Sequence, residues 1–258
     1  MDKIIQGDAL TVLKTLPDES IDMVLTSPPY DNLRTYGGYT FNFEGIAKEL
    51  YRVIKNGGVV VWVVGDSVVD GSETGTSFRQ ALYFKEIGFN LHDTMIYEKC
   101  GCPYQDPTRY LQMFEYMFVF SKGKPKTINL IKDRKNRWDK TFGCVTNRKK
   151  DGSLQKVGVK TFKEYGARYN IWRINAGYGR STEDNYSFEH PATFPEELAT
   201  AHILSWSNKD DLVLDPMCGS GTTLKMAKCL GRNYIGIEIE QKYIKIAEKR
   251  LQQEYLPL

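Results

Sequence analysis

Apolar and polar positions along the chain fall into two alternating patterns, which together predict an α/β fold. Short apolar runs indicate buried strands, and between them lie segments whose apolar residues recur every three or four positions, as in amphipathic helices. The segment FEGIAKELYRVIKNGG is of the second kind, with apolar residues at Ile46, Leu50, Val53 and Ile54 and a glycine stop at its end. The run VVVWVVGD directly after it is apolar throughout, as expected for a strand covered on both faces.

The same two patterns recur in order along most of the sequence. The predicted strands are KIIQ, IDMVLTS, VVVWVVGD, YMFVFSK, DLVLDP and NYIGIEI. The predicted helices are ALTVLKTLP, FEGIAKELYRVIKNGG, SFRQALYFKEIGF, PEELATAHILSWS, TTLKMAKCLG and EQKYIKIAEKRLQQE. Strands that alternate with helices predict βαβ units with right-handed crossovers and a parallel sheet.

The alternation stops in one central stretch, which divides the chain into three parts. Residues 121–185 are basic and rich in turn residues, with little helical periodicity. We interpret this stretch as an insertion between residues 1–120 and residues 186–258, where the α/β pattern resumes. All three parts therefore belong to one domain with an inserted region.

Composition narrows the class of protein. The chain has 258 residues, of which 41% are hydrophobic and 26% charged, values typical of a globular protein. No apolar stretch approaches the roughly 18 residues that span a bilayer, and the N-terminus has no signal-peptide core, so a cytoplasmic protein is expected. The five cysteines include no C-x-x-C pair, and Cys100, Cys102 and Cys144 lack a zinc-site spacing. Reduced thiols and no metal site are expected.

Charge is distributed unevenly, and the central stretch is strongly basic. Residues 121–180 contain 17 Lys and Arg against 4 Asp and Glu, a local charge of +13, although the whole chain carries only +3. Aromatic residues are interleaved with these cations, a combination that suits phosphate contacts and base stacking. A solvated basic loop is the alternative interpretation. The residues expected to contact DNA here are Arg134, Lys135, Arg137, Arg148, Lys149 and Lys150.

A glycine turn near the C-terminus predicts a nucleoside-binding site. The segment LVLDPMCGSGTT places Asp215 and a Gly-Ser-Gly turn between a buried strand and a helix, where doubly wound folds bind nucleotides. Glu238 ends the next strand, at the spacing where such folds bind ribose hydroxyls. The turn is neither G-x-G-x-x-G nor a P-loop, so a nucleoside without phosphates and with an amino-acid tail is favoured. S-adenosylmethionine is such a molecule, and an ordinary strand-to-helix turn is the alternative.

Two prolines end the second predicted strand and point to the reaction chemistry. Pro28 and Pro29 each fix φ, so Ser27 Oγ and the Pro28 carbonyl are expected to form a rigid pair of acceptors beside Tyr30. Such a pair suits an aromatic exocyclic amine, whose hydrogens the acceptors bind while the ring stacks on tyrosine. Acceptors that pull these hydrogens out of the ring plane favour attack by nitrogen on an electrophilic methyl group.

Three motifs in this order resemble those of a known enzyme family. TSPPY, DPMCGSGTT and HPATFP are similar to the catalytic, cofactor and auxiliary cofactor motifs of DNA amino-methyltransferases that use S-adenosylmethionine. A catalytic motif that precedes the cofactor motif resembles the permuted, or beta, group of that family. The resemblance implies a Rossmann-like methyltransferase fold with a mostly parallel seven-stranded sheet and a target-recognition region at 121–185. It also implies duplex DNA as the substrate, approached by base flipping.

The resemblance assigns residues to the site. Asp215 to Thr223 would shape the methionine pocket, Glu238 would hold the ribose and Asp8 would lie at the adenine. The full cofactor set implied is Asp8, Ala9, His190, Phe194, Asp215, Pro216, Met217, Cys218, Gly219, Ser220, Gly221, Thr222, Thr223 and Glu238. Beyond the catalytic turn, DNLRTYGGYTF is expected to close over the flipped base, with Arg34 and Tyr36 contacting DNA.

Ser27 favours one target base over another. Adenine-N6 members of the family usually carry Asp or Asn before the two prolines, whereas a serine resembles the cytosine-N4 members. We therefore expect cytosine N4 as the methylated atom, with adenine N6 as the first alternative and an inactive DNA-binding regulator as the second. The sequence leaves open whether the protein acts beside a cognate restriction endonuclease and whether it forms a homodimer.

Overall fold

A computed structural model describes residues 2–29, 41–100, 107–137, 140–177, 179–182, 184–190 and 194–253. The strands are β1 Lys3–Gln6, β2 Ile21–Thr26, β3 Ile54–Val64, β4 Val68–Val69, β5 Ser72–Glu73, β6 Asn90–Cys100, β7 Phe114–Ser121, β8 Arg134–Lys135, β9 Thr141–Arg148, β10 Leu154–Thr161, β11 Tyr165–Gly166, β12 Ile171–Asn175, β13 Leu212–Asp215 and β14 Asn233–Glu238. The helices are α1 Ala9–Leu13, α2 Phe43–Val53, α3 Thr76–Glu86, α4 Glu196–Trp206, α5 Thr222–Cys229 and α6 Gln241–Leu251, with a 3-10 helix at Asn185–Glu189.

One large sheet organises the described residues, in the order β1-β14-β13-β2-β3-β7-β6-β12. The strands from β1 to β3 all run parallel, β7 is antiparallel to β3 and β6, and β12 is parallel to β6. This mostly parallel sheet confirms the predicted Rossmann-like α/β fold. Within the described residues it has eight strands, one more than expected.

Two strands of the sheet have no counterpart in the prediction. In β6 only Met95 and Tyr97 are buried, and in β12 only Trp172 and Ile174 are buried. Strands that bury one face lack the continuous apolar run that identified the central strands. The second predicted helix was expected to include Ile54 and to be ended by Asn56-Gly57-Gly58, but α2 ends at Val53 and the chain enters β3 at Ile54, so that helix boundary is wrong.

The chain divides into two compact units, and the smaller one is shorter than the predicted insertion. It comprises Leu130–Tyr169, whereas the larger unit contains the residues on both sides of it. At one end, Asn129 N donates to Ser205 O at 2.8 Å, which ties residues just before the small unit to α4. At the other end, β12 joins the large sheet. Within the small unit, β9 pairs with β10 and β8 with β11, both antiparallel.

An aromatic core supports the large sheet from one side. Trp62 in β3 is fully buried and donates its Nε1–H to Gln80 Oε1 of α3 at 2.8 Å. Phe84 of α3 stacks on Phe120 of β7 with ring centroids 4.5 Å apart. Burial of each such side chain stabilises the fold by about 2–3 kcal/mol. Within the described ranges, none of the helices combines the length and apolar character needed to cross a bilayer.

Candidate active site

Four parallel strands bring the predicted motifs together at the carboxyl ends of the strands, which form one edge of the sheet. β1, β14, β13 and β2 are neighbours and run in the same direction, so their carboxyl ends lie together. Thr26, the last residue of β2, donates its Oγ1–H to Asp215 Oδ1 at 2.8 Å. The Gly7 amide donates to Glu238 O at 3.0 Å. The chain therefore enters the Ser27-Pro28-Pro29 segment directly beside the first acid of the glycine turn.

The two acids hold the glycine turn through its backbone amides. Asp215 Oδ1 accepts from Met217 N at 3.1 Å, and Glu238 Oε2 accepts from Gly219 N at 2.9 Å. The second oxygen of Glu238, Oε1, accepts from Glu240 N at 2.9 Å. Each carboxylate thus fixes a separate segment of backbone around the same edge, and the turn has little freedom to rearrange.

The glycines of the turn are required by close neighbours as well as by backbone conformation. Gly219 and Gly221 have φ of 49° and 78°, in the left-handed region. A Cβ at Gly221 would lie 2.7 Å from the Ala247 Cβ of α6. A Cβ at Gly219 would lie 2.7 Å from His190 Nε2, and the His190 ring meets the Tyr243 ring edge-on at 4.3 Å. His190 therefore covers the turn, and its role in cofactor binding stays a prediction.

Other predicted cofactor residues lie near this edge with less specific contacts. Asp8 follows β1 and caps α1, because its Oδ1 accepts from Thr11 N at 2.9 Å, and Ala9 begins that helix. Phe194 is partly buried and precedes Pro195, the N-cap of α4. Ser220, Thr222 and Thr223 are buried within the turn and the start of α5.

Burial changes the pKa of both acids at the edge. Asp215 is 5% exposed, and desolvation raises the pKa of its carboxyl group to about 6 despite the hydrogen bond from Thr26. Burial likewise raises the pKa of Glu238. Neither acid forms an ion pair with any residue that the structure describes. Two largely buried acids without a cation among the described residues, beside the buried glycine turn at the carboxyl ends of the strands, suit a cationic ligand that also carries hydroxyl groups.

A buried ionic network behind the turn escaped the sequence prediction. Arg250 of α6 is fully buried, and its Nη1 donates to Ser220 O and Thr222 Oγ1, both at 2.9 Å. Its Nε donates to Asp184 Oδ2 at 2.9 Å and its Nη2 to Glu196 Oε1 at 2.6 Å. Lys225 Nζ lies 2.7 Å from each of the same two carboxylates. The one available signal was Arg250's position on the inward face of α6, beside Ile246 and Ala247.

Several predicted catalytic and DNA-binding positions cannot be placed. Tyr30, Arg34 and Tyr36 lie outside the described residues, as does Cys102. Ser27, Pro28 and Pro29 are described, and Pro28 is buried.

Cys218 is buried within the turn, and desolvation raises the pKa of its thiol well above the ordinary value, so it is no thiolate nucleophile. Among described residues, no cluster of three or more side chains is arranged to bind a metal.

The predicted DNA contacts that can be placed lie in the small unit. Lys135, Arg137, Arg148, Lys149 and Lys150 are exposed, the last three at the end of β9 and in the turn that follows. Arg134 differs from them. Its Nε donates to Ala167 O at 2.8 Å and its guanidinium lies 4.8 Å from the centre of the Tyr169 ring, so it stabilises the small unit itself.

Comparison with known proteins gives consistent matches. Residues 21–249 match the N6_N4_Mtase family, described as DNA methylase. The chain is 59% identical over 241 residues to the orphan methyltransferase M.BamHII of Bacillus amyloliquefaciens, covering 92% of this chain and 91% of that protein. It is 31% identical over 265 residues to the DNA adenine methyltransferase YhdJ of Escherichia coli K12, covering 96% and 82% respectively.

Solved structures share the fold. The cytosine-N4-specific PvuII DNA methyltransferase matches with a TM-score of 0.68 at 22% identity, over 99% of this chain and 88% of that one. M1.HpyAVI in complex with SAM matches with a TM-score of 0.64 at 22% identity, over 98% and 100%. At these identities the likeness is one of architecture, and it agrees with the sheet described above.

Proposed function

Because the chain belongs to the N6_N4_Mtase family of DNA methylases, we propose that it methylates the exocyclic N4 amine of a cytosine flipped out of duplex DNA at a specific site. S-adenosylmethionine is the methyl donor. The observation that carries the proposal is the 2.8 Å hydrogen bond between Thr26 Oγ1 and Asp215 Oδ1, since it joins the start of the SPPY segment to the glycine turn. A methyl donor and an amine can meet only if these two segments are neighbours.

The chemistry of the edge fits this cofactor. S-adenosylmethionine carries a sulfonium and an ammonium cation, and Asp215 and Glu238 are acids without a cationic partner among the described residues. When bound, the cofactor supplies a methyl group made electrophilic by the sulfonium. Asp215 and the turn residues through Thr223 would hold its methionine part, Glu238 its ribose and Asp8 its adenine, while His190 covers the turn.

The residues after β2 supply the rest of the reaction. Ser27 Oγ and the Pro28 carbonyl accept hydrogen bonds from the amine, which localises the nitrogen lone pair and stabilises the positive charge that develops there. Pro29 keeps the segment extended because its φ is fixed. Tyr30 stacks on the base, and Arg34 and Tyr36 contact the DNA from which the base has been extruded.

Ser27 supports cytosine rather than adenine as the target. A serine before the two prolines resembles the cytosine-N4 members of the family. Its side chain offers the amine a neutral hydroxyl oxygen as the hydrogen-bond acceptor. The alternative target is adenine N6, and the name of YhdJ, a DNA adenine methyltransferase at 31% identity, favours it. Both reactions use the same edge and the same cofactor.

Nucleoside mass spectrometry distinguishes the two. Duplex DNA is incubated with the protein and S-adenosylmethionine bearing a deuterated methyl group, digested and analysed, with Asp215→Asn as the variant control. The proposal expects labelled N4-methylcytosine, much reduced in the control. Labelled N6-methyladenine alone would establish the alternative, and an unlabelled digest in which the protein still binds DNA would favour an inactive regulator.

A further inference from the structure

The β9–β10 hairpin of the small unit is a two-stranded ribbon that exposes both faces around its tip, over the residues whose side chains the structure describes there. Each strand has eight residues, which corresponds to about 26 Å of extended chain. Every side chain that the structure describes between residues 146 and 159 is exposed, on both faces of the ribbon. Antiparallel strands ordinarily bury one face, and a bare two-stranded hairpin is only marginally stable. A binding partner is the simplest reason to maintain such a ribbon.

Its charges identify the kind of partner. Residues 141–161 contain five Lys and Arg and one acid, Asp151. That acid is used within the hairpin turn, where Asp151 Oδ1 accepts from Ser153 N at 2.9 Å and from Ser153 Oγ at 2.7 Å. Lys156 and Lys160 belong to β10, while Arg148, Lys149 and Lys150 cluster around the tip, so the hairpin keeps a net positive charge that is densest at its tip. A cationic ribbon of this kind is attracted to a polyanion.

The strand register places two amides opposite each other next to this cationic tip. Gln155 of β10 pairs with Asn147 of β9, one residue in from the Leu154–Arg148 pair. Neither amide forms a hydrogen bond with any residue that the structure describes. Because side chains alternate along a strand, Arg148 and Leu154 project from the opposite face of the ribbon. Leu154 on that face is 65% exposed.

We infer that the β9–β10 ribbon enters the major groove of the DNA substrate and that Asn147 and Gln155 select the recognition sequence; this inference rests on the proposed function. The major groove is about 12 Å wide and admits a two-stranded ribbon. Side-chain amides pair with both the N6 and N7 positions of adenine, so these residues select adenine at their base pairs. Arg148, Lys149 and Lys150 contact phosphates and orient the ribbon. The major groove of duplex RNA is too narrow for it.

Modified-base sequencing of DNA from cells that express the protein tests the inference. The wild type is compared with Asn147→Ala/Gln155→Ala and with Lys149→Ala/Lys150→Ala. The amide variant is expected to accept sites with one or two altered base pairs, with a ~5- to 100-fold lower preference for the original motif. The lysine variant is expected to methylate all sites less while keeping the motif, and the slope of its DNA affinity against salt falls by ~2.

The outcomes separate this inference from the proposed function. An amide variant that methylates DNA with the wild-type motif and unchanged preference overturns the role of the ribbon, while the methyltransferase assignment stands. Should that variant methylate too little DNA to sequence, competition binding with duplexes altered at single positions decides: equal discrimination by variant and wild type overturns the inference. A wild type that leaves no methylated base contradicts the proposed function, and the role of the ribbon falls with it. Both variants must bind S-adenosylmethionine as the wild type does.

Discussion

Two pairs of acids are connected to the glycine turn, and they are neutralised in opposite ways. Asp184 and Glu196 are each bound by both Lys225 and Arg250, at distances from 2.6 to 2.9 Å. Asp215 and Glu238 are buried too, but among the described residues they accept hydrogen bonds only from backbone amides and threonine hydroxyls. The first pair fixes the turn through Arg250, and the second pair faces the edge where the motifs meet.

The pKa values follow this difference. Burial alone would raise the pKa of Asp184, but hydrogen bonds from Lys225, Gln253 and Arg250 outweigh it and lower the pKa. At Asp215 no cation among the described residues compensates, and burial raises the pKa to about 6. Acids that the protein neutralises itself are structural, whereas acids left without a cation at a sheet edge are suited to a cationic ligand.

The largest effect is expected from breaking the compensated pair. Arg250→Met leaves Asp184 and Glu196 with Lys225 alone and removes the donor to Ser220 O, so the free energy of unfolding should fall by about 3–5 kcal/mol. Urea unfolding measures this. Lys245→Met, an exposed change on the same helix, is the control and should lie within about 0.5 kcal/mol of wild type. A loss from Arg250→Met as small as that of the control contradicts a structural role.

Removing one negative charge from each pair should change stability in opposite directions. Asp184→Asn removes a partner of two buried cations and should lower the free energy of unfolding by about 2–4 kcal/mol. Asp215→Asn removes a charge that burial disfavours while keeping the Oδ1 acceptor for Thr26. At pH 8 it should raise that free energy by about 1–3 kcal/mol. Urea unfolding of both variants in the same buffer measures these changes. If both free energies of unfolding change with the same sign, the proposed difference between the two pairs of acids is contradicted.

The affinity for the cofactor should depend strongly on Asp215 and weakly on Asp184, whereas the loss of stability is expected from Asp184→Asn. Asp215→Asn is expected to weaken S-adenosylmethionine binding about 10- to 100-fold, the size of a lost hydrogen bond to a charged group. Asp184→Asn should change affinity at most about threefold wherever it remains folded, because its effect reaches the cofactor only through Arg250 and the turn. Calorimetric titration gives both constants. A larger loss of affinity from Asp184→Asn than from Asp215→Asn would mean that the cofactor depends on Asp184 and Glu196, which contradicts this account.

Strands buried on both faces made much of the fold predictable. β2, β3, β13 and β14 are nearly continuous apolar runs, so their positions and parallel arrangement follow from the sequence alone. Asp215 and Glu238 could be located for the same reason, as polar residues at the ends of such strands. β6 was missed because only Met95 and Tyr97 are buried in it and polar side chains occur on both of its faces.

Pairing between distant side chains could not be predicted. Nothing in a one-dimensional pattern indicates that Arg250 would bond Asp184, 66 positions earlier, rather than water. The same limit applies to Arg134, predicted to contact DNA but bonded to Ala167 within its own unit. Local periodicity identifies which residues face inward, whereas tertiary contacts decide which charges are compensated.

Proton release on cofactor binding tests the central claim most directly. In the free protein the pKa of Asp215, about 6, exceeds its ordinary value of 3.8, so stability from this group is greatest below pH 4 and is lost as pH rises through 6. A bound cation favours the ionised carboxylate, so S-adenosylmethionine affinity should increase from pH 5 to pH 7 and level off above it. Calorimetry in buffers of different ionisation enthalpy should detect proton release at pH 5.5, little release at pH 8, and clearly less release at pH 5.5 from Asp215→Asn, in which only Glu238 keeps a raised pKa. No release at pH 5.5, or equal release from the variant, would contradict the assignment of Asp215 to the cofactor.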